Sequence, residues 1–366
     1  MGVVRVLIAP DSFGDTLTAV QAAESIATGW CRRSPGDEIE MAPMSDGGPG
    51  FVGVLHASLG GELLSVSVTD LYGEETPTAV LMVEGTAYVE SAQACGLHLS
   101  ERRDPERATS YGVGQMVDAA VDEGARRVVV GLGGSGTNDG GAGLLAALGA
   151  VAEPREALRG GPHALEQLSA VALAPAQQRT AGVELVVASD VDNPLLGLRG
   201  ATNVYGPQKG VVEDRKHQVD DQLERLAELV DRRLADRPGA GAAGGLGFAL
   251  LALGATRVGG VGVVADAVGL AARAAASDIV VTGEGAFDFS SRSGKVPYGV
   301  ARIAAEAIRP CIALAGQVLV GSREMRALGI ESAYSMVELV GEEASMAEPA
   351  ESLALLAERV ARTWSR

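Results

Sequence analysis

The residues of this chain able to do chemistry gather where its apolar, strand-like runs end. Asp11 and Ser12 follow the run 3–9, and Ser45, Asp46, Gly47 and Gly48 follow a second run at 39–43. Gly133, Gly134, Ser135, Thr137, Asn138 and Asp139 follow 127–132, Asp190 follows 184–189, and Glu284 and Asp288 follow 278–282. In open parallel sheets ligands sit at the carboxyl ends of the strands, so this placement counts for more than residue type alone. Carboxylates by themselves repel an anionic ligand. Carboxylates combined with a divalent cation, glycine amides and a lysine serve phosphoryl transfer. Single Asp and Ser residues at strand ends also act as helix N-caps and turn formers. The whole set, with two glycine-rich loops, points to function.

Other motifs compete for the same loops. Gly131–Gly136 reads G-x-G-x-x-G between a strand and a helix, the context of a dinucleotide-binding turn, and the acidic Glu153 stands further on. Against an NAD site, Thr137, Asn138, Asp139 and two more glycines intervene before the helix, whereas such a turn enters its helix at the third glycine. The stretch 291–297 is not a P-loop, because Phe289 occupies the position of the first glycine and Val296 follows the lysine. The chain has 27 Arg and three Lys. Lys209 (GPQKG) and Lys295 (SGKVP) lie in small-residue loops, where backbone amides can join an ammonium in holding phosphate. Lys216, within DRKHQ, reads as a solvated surface residue. His56, His98, His163 and His217 show no metal-ligand spacing.

The elements that must position these groups follow from the pattern. Val3–Ala9 is a continuous apolar run, as expected of a parallel strand buried on both faces. Thr18 and Gln21 have the spacing of a capping box ahead of an amphipathic helix, and 39–43 supplies a second strand, so residues 1–45 read as βαβ. The same beat returns at 126–150, further strands are expected at 184–189, 278–283 and 311–316, and a terminal helix at about 348–364. Residues 62–92 alternate like antiparallel strands. The glycine- and proline-rich stretches 154–162 and 237–247 read as hinges or domain crossings. With 366 residues, the chain is expected to form two α/β domains. One is flavodoxin- or Rossmann-like, with a parallel sheet, and discontinuous (1–60, 105–150 and 277–366). The second is a smaller mixed α+β domain (61–104 and 151–276), with the active site in the cleft between them.

Composition narrows the function classes. The 30 basic against 47 acidic residues give a net charge of −17, which disfavours nucleic acid and anionic membranes as partners. Three cysteines form neither a disulfide framework nor a CxxC pair, which suits a reducing, cytoplasmic setting. The most apolar tract, about 239–276, is broken by Arg257, Asp266 and Arg273, too soon for a membrane span. Aromatics are 4% of residues and Gly numbers 49, so close packing through small side chains is expected.

Taken together and in order, these strings resemble the type I glycerate kinases. The matches are IAPDSF at 8–13, DGG at 46–48, GLGGSGTNDGGAGLLAALGA at 131–150, ASDVDNPLLG from 188 and YGPQKG at 205–210. They continue with PGAGAAGGLG at 238–247, TGEG from 282 and GKVPYGVA at 294–301. The resemblance implies a two-domain α/β kinase that transfers the γ-phosphoryl group of ATP to a hydroxyl of glycerate, with Mg²⁺. It implies Asp190, Lys295 and Asp46 as catalytic residues and Asp190, Glu284 and Asp288 as metal ligands. The acceptor would meet Asp11, Ser12, Gly47, Gly48, Asn193 and Ala286. The nucleotide and its phosphates would meet Gly133, Gly134, Ser135, Thr137, Asn138, Asp139 and Lys209. A small hydroxylated molecule is the expected partner, with a homodimer left open.

Departures from the family pattern mark where this chain would differ. The family commonly has DSFK or DSYK, and Gly14 stands at that lysine; DGGEGT has become DGGPGF, with Pro49 and Phe51. Val113 replaces a threonine, Ala286 an arginine and Ser290 a glutamine. A small anion needs charge-assisted donors, so these losses predict an altered acceptor preference, unless Arg102, Arg103, Arg107 or Arg292 supplies the charge. A catalytically impaired, ligand-binding relative is the alternative reading, ahead of an NAD-dependent enzyme.

Overall fold

The computed structural model describes residues 2–288 and 295–365. The strands expected from the sequence form, and four short ones join them at 151–153, 170–172, 256–258 and 332–335: in order, β1 (Arg5–Ile8), β2 (Glu38–Met41), β3 (Glu62–Thr69), β4 (Glu75–Val83), β5 (Thr86–Glu90), β6 (Arg127–Gly131) and β7 (Val151–Glu153). They continue as β8 (Ala170–Ala172), β9 (Glu184–Ala188), β10 (Thr256–Val258), β11 (Ile279–Phe287), β12 (Cys311–Val318) and β13 (Ser332–Ser335). The chain divides into two compact units. The first comprises Met1–Asp46, Gly53–Gly60 and Val261–Arg366, the second Gly47–Val52 and Gly61–Gly260.

The first unit is built on a five-stranded sheet in the order β13-β12-β11-β1-β2, with every neighbouring pair parallel. Counted within this unit, that is the 2-1-3-4-5 order of the flavodoxin-like fold, whose direction reverses between β1 and β11. Its first helix, Ala19–Arg33, starts at the expected capping box: Gln21 N donates to Thr18 Oγ1 (3.2 Å) and Thr18 N to Gln21 Oε1 (3.0 Å). The buried face of that helix carries Ile26 and Trp30 into a core shared with Val6, Ile8, Ile279 and Leu356. Close packing through small residues is present here. A Cβ on Gly29 would lie 1.9 Å from the carbonyl oxygen of Ala354 in the terminal helix Pro349–Trp364, so the two helices meet backbone to backbone.

The second unit holds a six-stranded sheet, β10-β9-β6-β5-β4-β3, and a small antiparallel pair, β7-β8. The alternating segment 62–92 forms antiparallel β3, β4 and β5, and from β5 to β10 all pairs are parallel. Residues 105–150, expected with the flavodoxin-like segments, lie in this second unit because β6 pairs with β5 and β9. The stretches 154–162 and 237–247, expected as hinges or crossings, fall inside the same unit. Their glycines serve packing instead. Gly244 has φ +68°, and a Cβ on it would lie 1.9 Å from the Thr137 carbonyl oxygen.

Among the described residues no helix is long and apolar enough to cross a membrane.

Candidate active site

In the first unit the strand ends build one site. Asp11 leaves β1, Glu284 and Ala286 lie in the last turns of β11, and Lys295 begins the helix Val296–Glu306. The strand β11 runs further than the sequence suggested, to Phe287. Glu284 and Ala286 therefore stand within it, two apart and on one face, opposite Ala315 and Gln317 of β12. Asp11, Ser12, Asp46, Glu284, Ala286 and Lys295 all line a single cavity of about 480 Å³. That cavity sits at the carboxyl ends of β1 and β11, the switch point at which doubly wound sheets bind ligands.

The site is electrostatically loaded. Glu284 is 5% exposed, and a buried carboxylate needs compensation. Lys295 supplies part of it, with Nζ 3.6 Å from Glu284 Oε2 and 3.9 Å from Asp288 Oδ1. Asp11 is pushed up to about 8, first by burial and then by the nearby charges of Asp46 and Glu284. The Ser12 amide (2.7 Å) and Lys295 pull the other way and do not prevail. The folded protein therefore keeps a proton on Asp11 that the unfolded chain releases from about pH 4. Stability from this group is full below that pH and is lost as pH rises through about 8. In urea titrations the wild-type midpoint should fall between pH 5 and 8 more steeply than that of Asp11→Asn. Parallel profiles would contradict this account of the charge cluster.

The glycine-rich loop after β6 is a second constellation, and it is closed upon itself. Thr137, Asn138 and Asp139 are fully buried. Asp139 Oδ2 accepts from Ser110 N and Oγ (both 2.8 Å) and Gly143 N (3.1 Å), and Oδ1 from Gly141 N (3.0 Å), so both oxygens are engaged. Asn138 Nδ2 donates to Thr202 Oγ1 (2.9 Å). Lys209, at the end of the helix Ala201–Lys209, is 2% exposed and donates to Ser135 Oγ (2.9 Å) and the Thr137 carbonyl (2.6 Å). Burial lowers its pKa to about 8. In this arrangement Lys209 fixes the loop's shape. The helix that follows begins only at Ala142, so the third glycine of the G-x-G-x-x-G string does not open a helix, unlike in a dinucleotide turn.

The DGG string belongs partly to this constellation. A Cβ on Gly133 would lie 2.5 Å from Gly48 Cα, so both loops need glycine to approach each other. A Cβ on Gly134 would meet the ring of Pro49 at 2.9 Å. Phe51 is fully buried and meets Tyr88 edge to face (centroids 6.1 Å apart), so this departure from the family pattern is a packing residue. Glu90, unremarked in the sequence, accepts from Gly50 N and Val52 N (both 3.1 Å) at the start of the helix Phe51–Leu59. Its only sequence signal is a carboxylate at the end of an apolar strand.

The remaining sequence candidates have the following surroundings. Asp190 follows β9 in the second unit, where a Cβ on Gly259 would sit 2.8 Å from its Oδ1. Asn193 is held at both ends, donating to the Arg199 carbonyl (2.7 Å) and accepting from the Tyr205 hydroxyl (2.8 Å). Arg102 pairs with Asp104 (2.7 Å) and stacks over Tyr72, and Arg103 donates to the Ser100 carbonyl. Lys216 is more covered than expected and pairs with Glu213 (2.6 Å). Ser290 and Arg292 lie outside the described residues.

A flavodoxin-like parallel sheet with carboxylates and a lysine at its switch point, joined in one chain to a mixed-sheet unit, defines a two-unit α/β protein. The chain belongs to the glycerate kinase family, whose model matches residues 6–365. It is 39% identical over 345 residues to the glycerate kinase of Bacillus subtilis (strain 168), covering 91% of this chain and 90% of that protein. It is 37% identical over 351 residues to the glycerate 2-kinase of Escherichia coli (strain K12), covering 92% of each. A solved structure assigned to glycerate kinase 2 of Salmonella typhimurium LT2 superposes with TM-score 0.83 at 35% identity, covering 99% of this chain and 98% of that one.

Proposed function

We propose that this protein is a kinase that transfers the γ-phosphoryl group of ATP to a hydroxyl of glycerate, assisted by Mg²⁺. Family membership supports the reaction class. The convergence of Asp11, Asp46, Glu284 and Lys295 on one cavity at the switch point is the observation that carries the chemistry. Among the described residues no group of three or more His, Cys, Asp or Glu gathers to hold a metal alone. Mg²⁺ takes one or two carboxylates and completes its shell with water and substrate phosphates. Burial first, and then the nearby charges of Asp46 and Glu284, lift the Asp11 pKa, and a cation relieves the second of these causes. Glu284 and Asp288 are the proposed ligands. The ion would supply charge neutralisation at the phosphate oxygens.

Lys295 neutralises the transferring phosphoryl group. Asp46 or Asp190 accepts the proton of the attacking hydroxyl. The loop 133–139 is held rigid by Lys209 and Asp139 and offers the outer amides of Gly133 and Gly134. Chelation of divalent ions should reduce ADP release from ATP and D-glycerate to background, and added Mg²⁺ should restore it. Full turnover in excess chelator would reject the metal-assisted reading.

A second reading, an acceptor larger or less anionic than glycerate, is favoured by Gly14 and Ala286. Both line the cavity, and among its described lining residues Lys295 is the sole cation. Restoring charge at the exposed Ala286 by Ala286→Arg should then raise kcat/KM for D-glycerate about tenfold, close to one charged hydrogen bond. An unchanged value would dismiss the second reading.

A further inference from the structure

We infer that the cavity of the first unit is the pocket of the donor nucleotide, its triphosphate at the carboxylate end and its base at the end formed by Met336, Val337 and Met346. This rests on the kinase reading and assigns its two substrates to different places. The cavity has two chemically distinct ends. Asp11, Asp46, Glu284 and Lys295 belong to β1, to the chain just after β2, to β11 and to the helix after β11. Met336 and Val337 open the helix that follows the edge strand β13, and Met346 belongs to the next helix. From β1 to β13 the sheet steps across β11 and β12, three spacings of about 4.8 Å, or about 14 Å.

Size and surface chemistry select a nucleotide over the acceptor. A volume of about 480 Å³ lies within the about 300–1,000 Å³ of sites for larger small molecules. A three-carbon acid would leave most of it empty. Five carboxylates line the cavity against the single described lysine, so a triphosphate would enter with its divalent ion, which the carboxylates attract. Met336 is 2% exposed and packs into the core beneath that end, while the exposed Met346 offers a soft, polarizable thioether to an aromatic ring. Gln317, beside Ala286 in the β11–β12 register, adds an amide able to meet a base edge. Met346 is 63% exposed, so its side chain is open to a ligand at that end.

The exposed Met346 gives a variant that folding tolerates. Met346→Asp should raise the KM for ATP at least tenfold, leave the KM for D-glycerate within twofold, and leave competitive inhibition by inorganic tripolyphosphate unchanged. Val337→Asp should do the same, and thermal melting of both should match the wild type. A raised KM for glycerate with that for ATP unchanged would give the cavity to the acceptor, and no change in either would place the base elsewhere; both outcomes overturn the inference. Wild-type protein that neither binds Mg·ADP in calorimetry nor turns over ATP would instead overturn the kinase reading itself.

Discussion

Lys295→Met should lower kcat at least a hundredfold while leaving the melting temperature within about 2 °C of the wild type. The two halves of that expectation come from different physics. In the folded protein alone Lys295 is 34% exposed and stands 3.6 and 3.9 Å from two carboxylates, beyond direct hydrogen-bond range, so its share in compensating Glu284 is small and the melting temperature depends little on it. During phosphoryl transfer it would be the described cation of its cavity, and losing one preorganised charge donor typically costs about 10²–10³ in rate. Turnover of the variant, measured by coupled ADP release, decides the matter. Retention of a tenth or more of the wild-type kcat would remove Lys295 from the chemistry. A parallel loss of melting temperature would make it a structural residue instead.

Gly244→Ala should be the most damaging small substitution outside that cavity, costing more than about 4 kcal/mol in urea unfolding. The backbone there is left-handed (φ +68°), and a Cβ would sit 1.9 Å from the Thr137 carbonyl oxygen, well inside contact distance. That carbonyl also accepts from Lys209, and the Gly244 carbonyl accepts from Gly140 N (2.9 Å), so the strain would reach the whole 133–141 loop. Gly262 is the control. It lies in the helix Gly260–Ala267 with nothing within 4 Å of a built Cβ, and Ala there should be neutral or stabilising by about 0.5–1 kcal/mol. Equal effects at the two positions would show that close approach to Thr137 does not explain Gly244.

These two residues also show how far the sequence could be read. The place of Lys295 beside a strand end is legible from local signals, an apolar strand, a break, and one of three lysines in a loop of small residues, while its part in the chemistry is what the variant tests. The βαβ start, the capping box at Thr18 and Gln21, and the antiparallel run 62–92 were legible for the same reason, since each is written within a few turns or strands. Gly244 was misread as part of a hinge. A glycine demanded by close backbone approach and one that permits motion look alike until the approaching carbonyl is known, and here it belongs to a residue more than a hundred positions earlier. The grouping of 105–150 failed likewise, because β6 chooses β5 and β9 through long-range pairing that no local pattern encodes. Lys209 was found, but its burial is a tertiary property, so a residue expected to face phosphate proves to face Ser135 and Thr137. Glu90 and Ser110 were missed because a single buried carboxylate or hydroxyl carries no spacing signature.

The account's central claim is that the chain moves a phosphoryl group from ATP to glycerate. Phosphorus NMR of the purified protein with ATP, Mg²⁺ and D-glycerate tests it most directly. The account predicts stoichiometric appearance of ADP and a phosphoglycerate, absent without protein and absent for Lys295→Met. ADP formed with release of inorganic phosphate only, or no consumption of ATP with D-glycerate present, would contradict it.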